Sequence, residues 1–158
     1  MAEPLADQVI RKIDPAAELY HRLLMVVAPA GAGKTSALHD VHERTGAPLI
    51  NVNLEISRRM LDLTERQRAL QLPRLLSEIM NTSQGLVILL DNIEILFDVS
   101  LRQDPLRLLQ GLSRNKTVVA AWDGSIDNEY MTYATPDHPE YRRYRFRDFL
   151  VVGAGVTA

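Results

Sequence analysis

The sequence contains no cysteine. Disulfide bonds and thiolate chemistry are therefore excluded, which agrees with a reducing compartment, and we expect a cytoplasmic location. No apolar run reaches the ~18–20 residues that a membrane-spanning helix needs. The N-terminus also lacks an apolar stretch after a basic start, so the sequence predicts neither a secretory signal nor contact with a membrane.

Positive charge is not in excess, since the formal net charge at pH 7 is −2. The chain as a whole therefore has no field that would attract nucleic acid in bulk. Lysine is scarce, with three lysines against 15 arginines. Arginine can bind phosphate or carboxylate through two parallel hydrogen bonds, which lysine cannot do. One of the three lysines, Lys34, nevertheless lies in the segment with the strongest chemical motif.

Short apolar runs alternate with amphipathic stretches along the 158 residues. The runs have the length of strands buried on both faces, and the stretches between them carry apolar residues at helical spacing. This alternation predicts a single α/β domain over residues 1–158, with a helical segment at 1–22 and a parallel sheet of about five strands. The strands are predicted at 23–28, 48–54, 86–90, 117–121 and 149–152.

Proline and capping residues predict details of the helices. Asp14-Pro15 predicts a second N-terminal helix that begins with proline, and Pro73 is expected to interrupt the helix that follows Thr64. Thr64 and Gln67 have the spacing of a capping box, in which each side chain closes an open helix end. A short helix is also expected between the loop-forming residues at 123–124 and those at 135–139.

The segment APAGAGKT at 28–35 follows a predicted strand and opens a predicted helix. Glycines at such a place let backbone N–H groups converge on an anion at the positive end of the helix. The segment matches the P-loop motif G-x-x-x-x-G-K-[ST], except that Ala28 replaces the first glycine. We expect it to bind ATP with Mg²⁺, with Lys34 neutralising the β- and γ-phosphates and Thr35 ligating the metal. The expected nucleotide-binding residues are Pro29, Ala30, Gly31, Ala32, Gly33, Lys34, Thr35 and Ser36.

The third predicted strand, LVILL at 86–90, is followed directly by Asp91. In P-loop proteins an acid at the end of a neighbouring strand holds the magnesium ion. We expect this strand to lie beside the first one, so that Lys34, Thr35 and Asp91 meet at the carboxyl ends of the strands. Thr35 and Asp91 are therefore the predicted Mg²⁺ ligands.

The residue after Asp91 bears on hydrolysis. ATPases of the additional-strand class usually have a glutamate there, which polarises the attacking water. Here the position is Asn92, whose amide cannot accept a proton. Glu94 could replace the missing base if the chain bends after Asp91. We therefore expect hydrolysis to be slow, or to depend on Glu94 or on a neighbouring subunit.

Asp123 follows the predicted fourth strand, where related folds often have a polar residue that contacts the γ-phosphate. A carboxylate would be repelled by phosphate, so a role through water or metal is expected rather than direct contact. The alternative is that Asp123 and Gly124 simply form a turn.

Arg142 and Arg143 come before a stretch that alternates arginine with aromatic residues and leads into the predicted fifth strand. In oligomeric AAA+ ATPases an arginine at this place enters the neighbour's site and stabilises transition-state charge. A second interpretation is that residues 141–147 form a basic, aromatic-interleaved surface for nucleic acid. A third is a strand whose arginines face solvent and whose aromatic side chains are buried.

Four longer stretches have a distinctive sequence: NVNLEISRRMLDLTERQRALQLPRLL (51–76), LLDNIEILFD (89–98), DPLRLLQGLSRNKTVVAAWDG (104–124) and HPEYRRY (138–144). Together they resemble the BrxF family, the small P-loop proteins of BREX phage-defence systems. The resemblance implies an AAA+-like nucleotide-binding protein that acts beside other components of a bacterial anti-phage system, one that distinguishes self from foreign DNA. It leaves catalytic competence open, because Ala28 and Asn92 depart from the expected motifs, and it assigns no DNA-binding residue.

We therefore expect an α/β P-loop NTPase domain, a three-layer sandwich with an AAA+-like core and no C-terminal helical lid. The expected function is that of a weak ATPase that binds ATP and Mg²⁺, self-assembles and acts with other BREX proteins. The alternative is an adaptor that nucleotide stabilises without being hydrolysed, and that docks a larger defence protein or DNA. Asn92 favours the adaptor, whereas Arg142 and Arg143 favour the assembling enzyme.

Overall fold

The structure is a computed structural model and describes residues 3–127, 129–145 and 148–153. Within these residues helices and strands alternate over most of the chain, as the apolar pattern predicts. The helices are α1 (Leu5–Ala17), α2 (Lys34–Thr45), α3 (Val52–Met60), α4 (Glu65–Asn81) and α5 (Pro105–Leu112), with short 3₁₀ turns at Glu94–Phe97 and Val99–Leu101. The strands are β1 (Leu23–Ala28), β2 (Leu49–Asn51), β3 (Val87–Asp91), β4 (Thr117–Asp127), β5 (Tyr130–Tyr133), β6 (Arg142–Arg145) and β7 (Leu150–Gly153).

Five of the described strands form a parallel sheet in the order β2-β3-β4-β1-β7. The predicted α/β class and the parallel sheet of about five strands are therefore confirmed. Among the described strands the predicted pairing of β1 with β3 is not found. Strand β4 lies between β1 and β3, with Val119 level with Leu24 on one side and with Leu89 on the other. The expectation that the Asp91 strand lies directly beside the first strand is wrong, because hydrophobic runs specify strands but not their order.

Helices cover both faces of the parallel sheet. Side chains of β1 alternate between two cores: Leu24 and Val26 pack with α1 and α2, whereas Met25 and Val27 pack with α3, α4 and α5. All six residues of β1 are buried, as a strand covered on both sides requires. No helix of the described residues combines the length and apolarity needed to cross a membrane.

Strand β4 continues past the parallel sheet and pairs antiparallel with β5, which in turn pairs with β6. The paired segments are residues 124–127, 130–133 and 142–145. The helix expected between 124 and 135 is therefore wrong. Arg142 and Arg143 lie within β6, and not immediately before the fifth parallel strand, which is β7. The alternation of arginine and aromatic residues did indicate a strand, but an alternation says nothing about which strand it pairs with.

Pro15 does not begin a second helix, and Pro73 does not interrupt its helix. Pro15 lies inside α1, which ends at Ala17, and Pro73 lies inside α4. A proline in a helix frees the carbonyl four residues earlier. For Pro73 that carbonyl belongs to Ala69, and it accepts a hydrogen bond of 2.9 Å from the Gln103 side chain. The freed backbone group is thus satisfied by a residue that no local pattern could identify.

The second strand is shorter than the apolar run at 48–54. It ends at Asn51, whose side chain accepts a hydrogen bond from the Leu54 backbone N–H at 3.1 Å and so caps α3. Asparagine is among the preferred capping residues, and its capping overrides the apolar pattern here. The capping box of Thr64 and Gln67 is confirmed, and Gly46 ends α2 in the left-handed conformation that glycine commonly adopts there.

Candidate functional site

A cleft of about 510 Å³ lies at the carboxyl ends of β1, β3 and β4. Its size is within the range of small-ligand sites, ~300–1,000 Å³. It brings together residues that lie up to 93 positions apart in the sequence. The lining residues are Ala30, Gly31, Gly33, Lys34, Thr35, Ser36, Asp91, Asn92, Glu94 and Asp123. Pro29 lines an adjoining cleft together with Ala30 and Asp123. The carboxyl ends of parallel strands are where such folds place ligands.

The loop between β1 and α2, residues 29–33, has the backbone of an anion cradle. Gly31 and Gly33 have φ angles of 79° and 93°. This left-handed conformation suits glycine and strains any residue with a Cβ. In the described part of the chain no side chain caps the N-terminus of α2. The N–H groups of its first turn are therefore without a helical partner and open toward the cleft.

Lys34 begins α2 and is buried, with 6% of its surface exposed. Its Nζ lies 2.7 Å from Asp123 Oδ1 and donates hydrogen bonds to the carbonyls of Ala28, at 2.7 Å, and Pro29, at 2.9 Å. An ammonium group has three protons, so three acceptors saturate it. In this structure Lys34 is thus fully engaged by its own chain.

Asp91 ends β3 and is buried, and its Oδ1 accepts a 2.9 Å hydrogen bond from the backbone N–H of Asn92. Asn92 itself has a φ of 54°. Asparagine is enriched in this left-handed region, whereas glutamate is not. The chain therefore bends after Asp91, and this bend directs Glu94 into the cleft. The conformation gives a physical reason for an asparagine at this position.

Asn53 is a site residue that the sequence analysis missed. Its Oδ1 accepts a hydrogen bond from the backbone N–H of Ile95 at 2.8 Å, and its Nδ2 lies 3.5 Å from Glu94 Oε2. Its own backbone N–H donates to the Asn92 carbonyl at 2.9 Å. Asn53 therefore fixes the 92–95 segment from the start of α3. These contacts span about 40 residues, and no local sequence signal indicates them.

Glu94 and Asp123 have opposite shifts in pKa. Burial of Glu94, together with a hydrogen bond to the Asp123 carboxyl group, raises its pKa to about 7. Burial also acts to raise the pKa of Asp123, but hydrogen bonds to Glu94 and Lys34 outweigh it and lower that pKa below its ordinary value. Below about pH 7 the pair thus holds one proton, on Glu94, and Asp123 is the ionised partner of Lys34.

The raised pKa of Glu94 predicts that the free energy of unfolding depends on pH. Folded Glu94 keeps its proton up to about pH 7, whereas unfolded Glu94 releases it near 4.5, so its contribution is present below 4.5 and is lost as the pH rises through 7. In the Glu94→Gln variant the side chain at position 94 cannot ionise. Because Glu94 is half exposed, solvent weakens the effect, and we expect the stability advantage of the variant over the wild type to grow by about 1–2 kcal/mol from pH 5 to pH 8.

Urea unfolding of both proteins across this pH range measures the effect. Apart from Asp123, all other titrating groups, including the four histidines, are common to both proteins, so they cancel in the difference. Asp123 has the opposite sign and a lower window, since its contribution is lost only as the pH falls below its ordinary pKa. A difference that stays constant from pH 5 to 8 would contradict the raised pKa of Glu94.

Arg142 and Arg143 do not line the cleft of their own chain. Arg142 donates a hydrogen bond to the Gln103 carbonyl at 3.2 Å, and the guanidinium of Arg143 lies 3.7 Å from the centre of the Tyr130 ring. An arginine finger acts on a neighbouring subunit, so that role stays a prediction. Arg143 is exposed and Tyr144 packs toward the core, which agrees with the third interpretation of this strand. Phe146 and Arg147 lie outside the described residues.

The donors of the cleft suit a magnesium ion that phosphate helps to hold. Among the described residues no group of three or more His, Asp or Glu side chains is arranged to bind a metal on its own. Thr35 and Asp91 do line the same cleft. Mg²⁺ is commonly held by one or two protein oxygens with substrate phosphates and water completing its octahedron. The donor set fits that manner of binding.

A second cleft, of about 910 Å³, is larger but differs in chemistry. It lies beside the N-terminus of α4 and is lined by Thr64, Glu65, Arg66, Ala69, Leu70, Ser100, Leu101, Arg102 and Gln103. There the capping box of Thr64 and Gln67 satisfies N–H groups at the start of α4, whereas the corresponding N–H groups of α2 are open. The smaller cleft is therefore the stronger candidate for an anionic ligand, despite its volume.

Comparison with known proteins gives no assignment. A scan against models of protein families finds no match to this chain, and a search of curated proteins finds no significant match.

Proposed function

We propose that the chain is a P-loop protein that binds ATP with Mg²⁺ in the cleft formed by the loop 29–33, α2 and the ends of β3 and β4. One observation carries the proposal. The uncapped N-terminus of α2 follows two left-handed glycines and opens into the same cleft as Lys34 and Asp91. Open N–H groups, a lysine and an acid at this geometry are what binding of a metal-complexed phosphate chain requires.

The strand order supports the same proposal. An extra strand, β4, separates the strand that precedes the glycine loop from the strand that ends in Asp91. This is the arrangement for which the additional-strand class of P-loop ATPases is named. It favours an AAA+-like ATPase over a P-loop kinase, in which we would expect the two strands to be adjacent.

Each residue then has a distinct role toward the nucleotide. The backbone N–H groups of the loop and of Thr35 and Ser36 bind the phosphates, and Lys34 binds the β- and γ-phosphates once it is free to do so. The Thr35 hydroxyl and the Asp91 carboxylate hold the metal. When bound, Mg²⁺ neutralises charge that develops on the phosphates during transfer.

We propose Glu94 as the general base of a weak ATPase. It lines the cleft, Asn53 orients it, and Asn92 cannot accept a proton. A base works best when its pKa lies near the operating pH, and that of Glu94 is raised to about 7. In its ionised form, which gains population as the pH rises through about 7, Glu94 would take the proton of the attacking water from the position that the bend at Asn92 gives it.

Glu94→Gln is therefore expected to slow phosphate release at least about a hundredfold, the usual size of a general-base contribution. Affinity for Mg-ATP should change by less than about threefold, because the amide keeps the shape of the side chain. Asn92→Gly is the matched control, since glycine adopts a φ of 54° freely and the amide is assigned no chemistry. Release by Glu94→Gln at the wild-type rate would remove Glu94 from the mechanism.

A second function, that of a non-hydrolysing adaptor, is favoured by a different observation. Lys34 is saturated by Asp123 and two carbonyls, so the free chain is not arranged for rapid turnover. On the resemblance to BrxF, we propose that the chain assembles with itself and acts with other BREX proteins. Contact with DNA is a further part of this proposal. Arg142 and Arg143 would serve the self-assembled enzyme.

Calorimetry with Mg-ATP and Mg-GTP tests the common part of both functions. Heat of binding to the wild type is expected, and its absence at millimolar nucleotide, for monomer and oligomer alike, would overturn the proposal. Size-exclusion chromatography with and without nucleotide, combined with a phosphate-release assay, then separates the enzyme from the adaptor. Co-purification with tagged BREX proteins and a DNA mobility-shift assay test the partners.

A further inference from the structure

Asp123 occupies the place on Lys34 that the proposed function reserves for phosphate. Its Oδ1 lies 2.7 Å from Nζ, the usual length of a strong charge-assisted hydrogen bond. Lys34 is buried and Asp123 is half-buried, so water screens this pair less than it would a surface pair. The position of Asp123 is fixed by β4, since Trp122 on one side is fully buried and Gly124 on the other begins the pairing with β5.

The charges that line the cleft add to this effect. Among the described lining residues Lys34 is the cation, whereas Asp91, Glu94 and Asp123 carry carboxyl groups. With Lys34 neutralised by Asp123, the cleft as a whole attracts anions only through its backbone N–H groups. An incoming phosphate chain therefore meets the Asp123 carboxylate, which is already bonded to Lys34, the side chain that the phosphates must contact.

We propose that Asp123 is an internal competitor of the nucleotide's terminal phosphates for Lys34, so that binding requires Asp123 to release the lysine. This inference rests on the proposed nucleotide site and adds its regulation. Two consequences follow. Removal of the charge at position 123 strengthens nucleotide binding, and it relaxes the need for Mg²⁺, since one repelling carboxylate is gone from the cleft.

The ion pair itself can be tested without any nucleotide. The chain has only three lysines, Lys12, Lys34 and Lys116, so acetylation by an N-hydroxysuccinimide ester can be followed at each by mass spectrometry. In Asp123→Asn we expect Lys34 to react at least about fivefold faster than in the wild type, because its anionic partner is lost. Lys12 and Lys116 should react at unchanged rates. An unchanged rate at Lys34 would overturn the proposal.

Affinity provides the second test. Calorimetry should show that Asp123→Asn binds Mg-ATP about tenfold more tightly than the wild type, and that it retains measurable binding of ATP in the presence of EDTA. Asp127→Asn is the matched control, since it removes the same charge from an exposed position near the end of the same strand. It should bind like the wild type. Asp123→Ser replaces Asp123→Asn if the asparagine variant does not fold.

The outcomes separate this inference from the function on which it rests. If the wild type binds Mg-ATP and Asp123→Asn binds no more tightly, the competitor role fails while the nucleotide site stands. If the wild type binds Mg-ATP and Asp123→Asn binds about tenfold more tightly, both are supported. If neither binds at millimolar nucleotide, both are overturned, whatever the reactivity of Lys34.

Discussion

Alanine at position 124 is expected to lower the free energy of unfolding by about 3 kcal/mol. A Cβ on Gly124 would overlap the carbonyl oxygen of Thr132 and lie 3.0 Å from the Trp122 indole nitrogen. That carbonyl accepts the indole hydrogen bond, also at 3.0 Å. Relief of the overlap would therefore separate β4 from β5 and leave a buried donor without its acceptor.

The midpoint of thermal unfolding should fall by roughly 6–12 °C for a chain of this size. Circular dichroism during heating and urea titration measures both quantities. Gly111→Ala is the control, because Gly111 lies in α5 with nothing within 4 Å of an added Cβ. Alanine there should stabilise the protein by about 0.5–1 kcal/mol. A Gly124 variant as stable as the wild type would show that β4 and β5 do not approach so closely.

Lys34→Ala is expected to weaken Mg-ATP binding by about a hundredfold, since charged hydrogen bonds to phosphate are lost with no replacement. Calorimetry measures the affinity, and phosphate release should fall to background. Lys12→Ala is the matched control: it removes the same side chain from α1, away from the cleft, and should bind as the wild type does.

The same variant decides between the two proposed functions. Loss of measurable phosphate release with Lys34 supports the enzyme. Nucleotide-dependent assembly in the wild type without any release supports the adaptor, provided that Lys34→Ala no longer assembles. Binding of Mg-ATP by Lys34→Ala at the wild-type affinity would contradict a phosphate role for this lysine and with it the proposed site.

Local chemistry accounts for what was predictable. The buried strands β1 and β3, the capping box at Thr64 and the left-handed Gly46 each depend on residues within a few positions of one another. The glycine loop, Lys34 and Asp91 were also identifiable, because a strand–loop–helix context and strand ends place them at one edge of the sheet. Hydrophobic periodicity and capping are short-range, so the sequence expresses them directly.

The unpredicted features all depend on contacts between distant residues. Pro73 does not break its helix because Gln103 satisfies the freed Ala69 carbonyl. Strand β4 inserts between β1 and β3, which an apolar run cannot specify. The pairing of Lys34 with Asp123 follows from that insertion, since it brings the end of β4 beside the glycine loop. Sequence reasoning treated Asp123 as a turn residue or an indirect phosphate contact and had no means to identify its partner.

Trp122 is the chain's one tryptophan, and it makes the cleft visible to spectroscopy without a label. Its ring packs edge-on against Phe97 at 5.0 Å between centroids. Trp122 is the backbone neighbour of Asp123, and Phe97 ends the short turn that begins with Glu94. The two aromatic rings are thus each joined by a short piece of backbone to one of the two acids that share a proton. We therefore expect a ligand that moves either acid to change the indole fluorescence, so that titration of the wild type would report occupancy of the cleft.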